Sequence, residues 1–155
     1  RGTAFHVYFP LQKSAAADDS AVVEAILPTG DEHILVVDDE EVIVRLTSQM
    51  LQRLGYQVTG RTSSLEALEA FKNHPDAFDL VITDMAMPNL TGEQLTRKIR
   101  SIRPDIPVIL CTGFSERIPQ EKVAAIGLSG VLKKPVLRSA MARMVRDVLD
   151  RGSDV

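Results

Sequence analysis

Asp38-Asp39-Glu40-Glu41, Asp84, Thr112-Gly113 and Lys133-Lys134-Pro135 carry the groups best suited to polar chemistry in this sequence. Each has an ordinary reading by itself. Asp38 and Asp39 suit the start of a helix, where carboxylates cap free amides and favour the dipole. Asp84 suits a turn toward Pro88-Asn89, Thr112-Gly113 suits a loop, and Lys134 suits a solvated surface. Gathered in one pocket, they acquire a joint chemistry. Three carboxylates (Asp38, Asp39 and Asp84) would repel one another unless one held a proton or a cation neutralised them. Mg²⁺ answers that need, because it takes oxygen ligands and one or two carboxylates while keeping sites for water and phosphate. The Thr112 hydroxyl and the Lys134 ammonium suit phosphoryl oxygens. One carboxylate is then free to act as nucleophile, and its attack on phosphorus gives an acyl phosphate. The cation and Lys134 would neutralise charge on the transferring group.

These residues share a pocket only if a fold delivers them there. Ile34–Val37 is a continuous apolar run that reads as a buried strand. Glu41–Leu54 carries Ile43, Leu46, Met50 and Leu54 at helical spacing and closes at Gly55. Gln57–Arg61 is a more polar strand, suited to a sheet edge. Ser63 and Glu66 form a capping-box pattern before a helix with Leu65, Leu68 and Phe71. Leu80–Thr83 is a third strand. Thr91 and Gln94 repeat the box, with Leu90 and Leu95 as its staple, and the helix continues through Ile99 and Ile102. Pro107–Cys111 is a fourth strand and Gln120–Ile126 a short helix ended by Gly127. Gly130–Leu132 is a fifth strand, and a last helix bears Leu137, Met141, Met144, Val145 and Val148.

Five alternating strand–helix units with apolar strands predict a parallel sheet covered on both faces, wound with right-handed crossovers. In such α/β sheets, ligands sit beyond the carboxyl ends of the strands. Asp38-Asp39, Asp84, Thr112 and Lys134 each follow a strand, so all fall at that end.

The chain has 155 residues and a formal net charge of −3, with 45% hydrophobic and 25% charged residues. That is enough for a disulfide-free core, and it supplies no basic field for nucleic acid or an anionic membrane surface. One cysteine, Cys111, rules out a disulfide framework or a cysteine zinc site within one chain. In its apolar run it reads as a small hydrophobe in a reducing, cytoplasmic compartment. No stretch reaches the roughly 20 apolar residues of a membrane span. The chain opens on Arg1, which reads as a piece of something longer. Phe5, Val7 and Phe9 alternate with Ala4, His6 and Tyr8 until Pro10, as in a strand whose partners lie elsewhere. Such a strand is suited to adding to a sheet edge of its own or a neighbouring chain, which leaves an oligomer open. Residues 11–32 read as a linker, 33–150 as the α/β domain and 151–155 as a tail.

Ile34-Leu35-Val36-Val37-Asp38-Asp39-Glu40, Asp84 through Gly92, Thr112-Gly113 and Lys134-Pro135 resemble the receiver domain of two-component response regulators. The spacings from Asp39 to Asp84 (45), on to Thr112 (28) and on to Lys134 (22) are similar to that family's. The resemblance spans about residues 33–150. It implies a flavodoxin-like five-stranded sheet in the order 2-1-3-4-5, with Asp84 as phosphoacceptor. It implies Asp38 and Asp39 as the acidic pair around Mg²⁺, Asp39 the more direct ligand, with Asp84 and the main-chain carbonyl of Ala86 completing the protein ligands. Thr112 and Lys134 would bind the phosphoryl group, and the Lys134–Pro135 bond would be cis. Val131 stands where the family often has a switch aromatic, so aromatic coupling to Thr112 is not expected. Phe114 reads as core or loop, and Met87-Pro88 as loop packing. Ala86 is small and leaves a path for water.

Arg1-Gly2-Thr3-Ala4-Phe5-His6-Val7-Tyr8-Phe9-Pro10 resembles the last strand of a histidine-kinase ATP-binding domain. Kinase end, linker and receiver in that order imply the C-terminal receiver of a hybrid sensor histidine kinase, whose ATP site lies outside this chain. The partners would be a histidine kinase domain, its own or a cognate one, or a histidine phosphotransfer protein. Residues 133–151 hold six basic and two acidic side chains, a candidate docking face.

Other readings compete. An aspartyl phosphatase of the haloacid-dehalogenase type wants Asp-x-Asp after its strand, whereas Asp38-Asp39-Glu40 and Asp84-Met85-Ala86 both lack the second Asp. A nucleotide-binding module needs glycines in the first turn, which carries four acids instead. A DNA-binding regulator needs an effector domain, and the chain stops at Val155 after the last predicted helix. A scaffold receiver that is never phosphorylated would be favoured by loss of Asp39, Asp84 or Lys134; all three are present.

Overall fold

The computed structural model describes residues 27–113 and 118–152. The strand expected at 1–10, most of the linker and Phe114 lie outside the described residues. In chain order the elements are β1 (His33–Val37), α1 (Glu41–Gln52), β2 (Gln57–Arg61), α2 (Ser64–Asn73), β3 (Leu80–Asp84), α3 (Gly92–Ile102), β4 (Val108–Thr112), α4 (Gln120–Ile126), β5 (Gly130–Lys133) and α5 (Arg138–Gly152). A short 3-10 turn, Pro75–Ala77, precedes β3. The five strands pair in parallel in the order β2-β1-β3-β4-β5. The mixed strand Gln57–Arg61 is indeed an edge, and no residue of it is fully buried.

Alternate residues of the central strands feed two cores. Ile34, Val36, Ile82 and Ile109 point to the α1/α5 side, against Leu51, Met141 and Val145. Leu35, Val37, Val81 and Val108 point to the other side, against Phe71, Leu95 and Ile99 of α2 and α3. Strands buried on both faces have to be continuously apolar, which is why they read so plainly in the sequence.

Local chemistry sets the helix ends. Thr91 Oγ1 accepts from Gln94 N and Gln94 Oε1 accepts from Thr91 N, a complete capping box. At α2, Ser63 Oγ accepts from Glu66 N, but the reciprocal Glu66 bond is not formed. Gly127 ends α4 in the left-handed region, at φ 77°.

Three helical stripes differ from the predicted ones. Ile43, Leu46 and Met50 were expected to face the core. The residues of α1 that are buried are Val44, Thr47 and Leu51, and Leu46 is 47% exposed. The apolar arc of α1 is wider than one stripe, and Thr47 hides the alternative because a hydroxyl discounts it. In α2, Ser64 rather than Leu65 is buried; its Oγ donates to Pro88 O and accepts from Leu90 N. Leu65 is exposed, as is Leu137 just before α5.

Residues 27–32, composed like linker, are packed on the domain. Leu27 lies against the α1/α5 core, and Gly30 N donates to Leu54 O. Glu32 pairs with Arg146 of α5 at 2.8 Å.

Candidate functional site

Parallel register places the chemistry. Val37 pairs with Thr83, Asp84 with Cys111, and Thr112 with Lys133. The residues at or just beyond these positions therefore emerge side by side at the carboxyl edge of β1, β3, β4 and β5. Asp38 and Asp84 are both buried and meet through Lys134. Lys134 Nζ lies 2.8 Å from Asp38 Oδ2 and 2.7 Å from Asp84 Oδ1. The other oxygens are held by backbone amides: Glu40 N donates to Asp38 Oδ1 at 3.0 Å, and Ala86 N donates to Asp84 Oδ2 at 2.9 Å. Asp38 thus closes a two-residue turn. It does not cap α1, whose N-cap, Glu40, makes no side-chain capping bond.

The lysine is placed by a cis Lys134–Pro135 peptide and by Lys134 N donating to Thr112 O at 2.8 Å. Thr112 is buried at the end of β4. Burial works against the Lys134 charge, but the hydrogen bonds to Asp38 and Asp84 outweigh it and raise the pKa of the ammonium. Lys134 is therefore a fixed cation. Its contribution to stability is complete below the ordinary lysine value of 10.5 and fades only as strongly alkaline pH passes its raised one.

Of the three carboxylates expected to converge, two do. Asp39 is exposed where the chain enters α1. Among the described residues no group of three or more His, Cys, Asp or Glu side chains is gathered closely enough to hold a metal; Asp38 and Asp84 share the lysine instead. The donor set still suits Mg²⁺, a hard ion that needs only one or two carboxylates beside water and phosphate.

Cys111 backs the site from β4. Burial pushes its thiol up to about 12, against 9.0 for a free one. Between those values the folded chain keeps a proton that the unfolded chain loses, so stability falls as pH rises. Over the first pH unit above 9.0 the loss should be about 1 kcal/mol, read by urea unfolding, and Cys111→Ala should lack that slope.

Gly92 is a site residue that motif chemistry alone does not reveal. Its N donates to Met85 O at 2.9 Å, and a Cβ on it would fall onto the carbonyl oxygen of Asp84 and the Leu110 side chain. The available signal was a glycine directly after the Thr91 cap, where no left-handed turn calls for one. Met87 is buried as loop packing, as expected, and Asn89 adopts φ 67° in the same loop.

The fold and this edge of the sheet define a class. The family model described as "Response regulator receiver domain" matches residues 34–146, and the chain belongs to that family, the receiver domain of two-component systems. Among curated relatives, Sensor kinase CckA of Brucella abortus is 30% identical over 159 residues, covering 97% of this chain and 17% of that protein. Sensor histidine kinase RcsC of Escherichia coli is 35% identical over 114 residues, covering 73% of this chain and 12% of that protein. The chain therefore spans under a fifth of those two relatives. A solved response regulator receiver domain protein from Clostridium thermocellum is 32% identical at TM-score 0.72, covering 79% of this chain and 97% of that one. A CheY-like receiver from Methanospirillum hungatei is 26% identical at TM-score 0.73, covering 81% and 98%. No helix among the described residues is long and apolar enough to cross a membrane.

Proposed function

We propose that this domain takes a phosphoryl group from a phosphohistidine onto Asp84 and thereby changes its partner contacts. The observation that carries the reading is the buried Asp84 carboxylate, held by Lys134 on one oxygen and by Ala86 N on the other. A carboxylate oxygen of Asp84 attacks phosphorus; the P–N bond of the donor breaks as the P–O bond forms. The imidazole leaves with the electron pair and keeps or gains a proton as neutral histidine. Asp38, Asp84 and the Ala86 carbonyl are the residues that would hold Mg²⁺, with Asp39 turning in from its exposed position before α1; when bound the ion would supply positive charge against the phosphoryl oxygens. Lys134 turns from the carboxylate to a phosphoryl oxygen, and the Thr112 hydroxyl donates to another. The buried edge keeps the acceptor in place before the donor arrives, so little reorganisation is left for the transfer itself.

The similarity to sensor kinases extends over nearly the whole chain in one case, which supports an origin in a hybrid sensor histidine kinase. The donor would then be that kinase's own histidine or a cognate one, and a histidine phosphotransfer protein a further partner. The basic run at 133–151 supports a docking role for α5 and the strand before it. Val131, partly buried on β5, supports a switch without an aromatic rotor.

Phosphotransfer tests this directly. A radiolabelled, autophosphorylated histidine kinase domain should lose its label to this protein in the presence of Mg²⁺. The label on this protein should be released by hydroxylamine, as an acyl phosphate is. Retention of all label on the donor would contradict the reading and favour a scaffold receiver.

A further inference from the structure

A cleft of about 530 Å³ opens beside the acidic edge, between α1 and the segment after β5. That volume lies within the roughly 300–1,000 Å³ of small-molecule sites. Its floor is Val36, Ile82 and Cys111, and its walls include Ile43, Leu46 and Met50, the stripe of α1 that the core leaves uncovered. Leu46, half exposed, lines this cleft, so an apolar occupant would cover it.

One end of the cleft is polar and reaches Asp38, Asp84 and Lys134. Among the described residues each oxygen of the two carboxylates has a single protein partner, and a carboxylate offers about four accepting positions. Two carboxylates, Asp38 and Asp84, face one ammonium there, which leaves an excess of negative charge. Without Mg²⁺, charge complementarity at that end favours a cation over an anion.

We propose that this cleft binds a small apolar amine, with its hydrocarbon body between α1 and the strand ends and its ammonium against Asp38 and Asp84. The binding stands on the cleft alone. Its regulatory consequence rests on the function proposed above: amine and Mg²⁺ neutralise the same carboxylates, so each weakens the other. By linkage, the factor by which Mg²⁺ lowers amine affinity equals the factor by which the amine lowers Mg²⁺ affinity.

The test uses the whole chain and methyl and amide NMR. The probes are 2-phenylethylamine, its neutral isostere 2-phenylethanol and the anion 3-phenylpropionate, at millimolar concentration. The amine should give saturable shifts at Leu46, Met50 and Val136, with affinity about tenfold above both isosteres. Leu46→Trp, which fills the cleft from a half-exposed position, should weaken the amine about tenfold. The comparison of the three probes on the unaltered protein decides the matter if that variant does not fold. Saturable shifts that Mg²⁺ antagonises support the site. Absence of saturable shifts or equal affinity for all three probes overturns the site, and indifference of a saturable amine to Mg²⁺ overturns the coupling. A protein that binds the amine but never takes up phosphoryl would overturn the phosphoacceptor reading and leave the cleft's ligand standing.

Discussion

Lys134→Ala is expected to destabilise the domain by about 2–3 kcal/mol at neutral pH and low Mg²⁺. The ammonium is the counter-ion of two buried carboxylates, Asp38 at 2.8 Å and Asp84 at 2.7 Å. Removing one partner of a wholly buried pair costs about 3–5 kcal/mol, because the remaining charge is left unpaired. The Lys134 side chain is 28% exposed, so water softens that loss and the lower figure applies. The sign of the pH dependence follows. In the variant, two like charges across a small gap drive one carboxylate to take up a proton as pH falls. The deficit against the unaltered protein should therefore shrink toward acid pH, and it should shrink when Mg²⁺ is added. Urea unfolding with and without Mg²⁺ measures both. An equal deficit under all conditions would mean that lost packing of the lysine stem, and not charge, is what matters.

Gly92→Ala carries the second large effect. Its new methyl would meet the carbonyl oxygen of Asp84 and a Leu110 methyl, one backbone and the other core. Neither neighbour gives way at small cost. Overpacking in a close-packed interior costs about 1–3 kcal/mol, and the top of that range is expected here because backbone must move. The movement falls on the residue that holds the proposed acceptor, so phosphoryl uptake should drop together with stability. Gly113→Ala is the matched control, since among the described residues nothing lies within 4 Å of a Cβ there. If Gly92→Ala unfolds at the same urea concentration as the unaltered protein, the close approach of α3 to Asp84 is not as described.

Much of this was legible in the sequence because burial on both faces leaves no freedom in the strands. Ile34–Val37, Leu80–Ile82 and Val108–Cys111 are continuous apolar runs, and the candidate site residues Asp38, Asp84 and Thr112 follow at their carboxyl ends. The parallel order then follows from alternation and handed crossovers. The helices were less legible. An arc such as that of α1, with Val42, Ile43, Val44, Leu46, Met50 and Leu51, admits two core stripes, and only packing against β1 and β2 chooses between them. Ser64 is buried because its hydroxyl bridges to the loop at Pro88 and Leu90, a contact across 24 residues that no local pattern announces. At the site, type and order identified Asp38, Asp84, Thr112 and Lys134, but they did not predict that Lys134 would stand between Asp38 and Asp84 while Asp39 remained exposed. Which side chains meet depends on register and on the turn closed by Glu40 N, and neither is a property of composition.

The central claim is that Asp84 accepts a phosphoryl group in a site that Asp38, Asp39 and Lys134 prepare. Intact mass after incubation with acetyl phosphate tests it most directly, with and without Mg²⁺ and with Asp84→Asn in parallel. The account predicts one added phosphoryl group that requires both Mg²⁺ and Asp84. An unmodified mass even after rapid quenching, or an adduct that persists in Asp84→Asn, would contradict it.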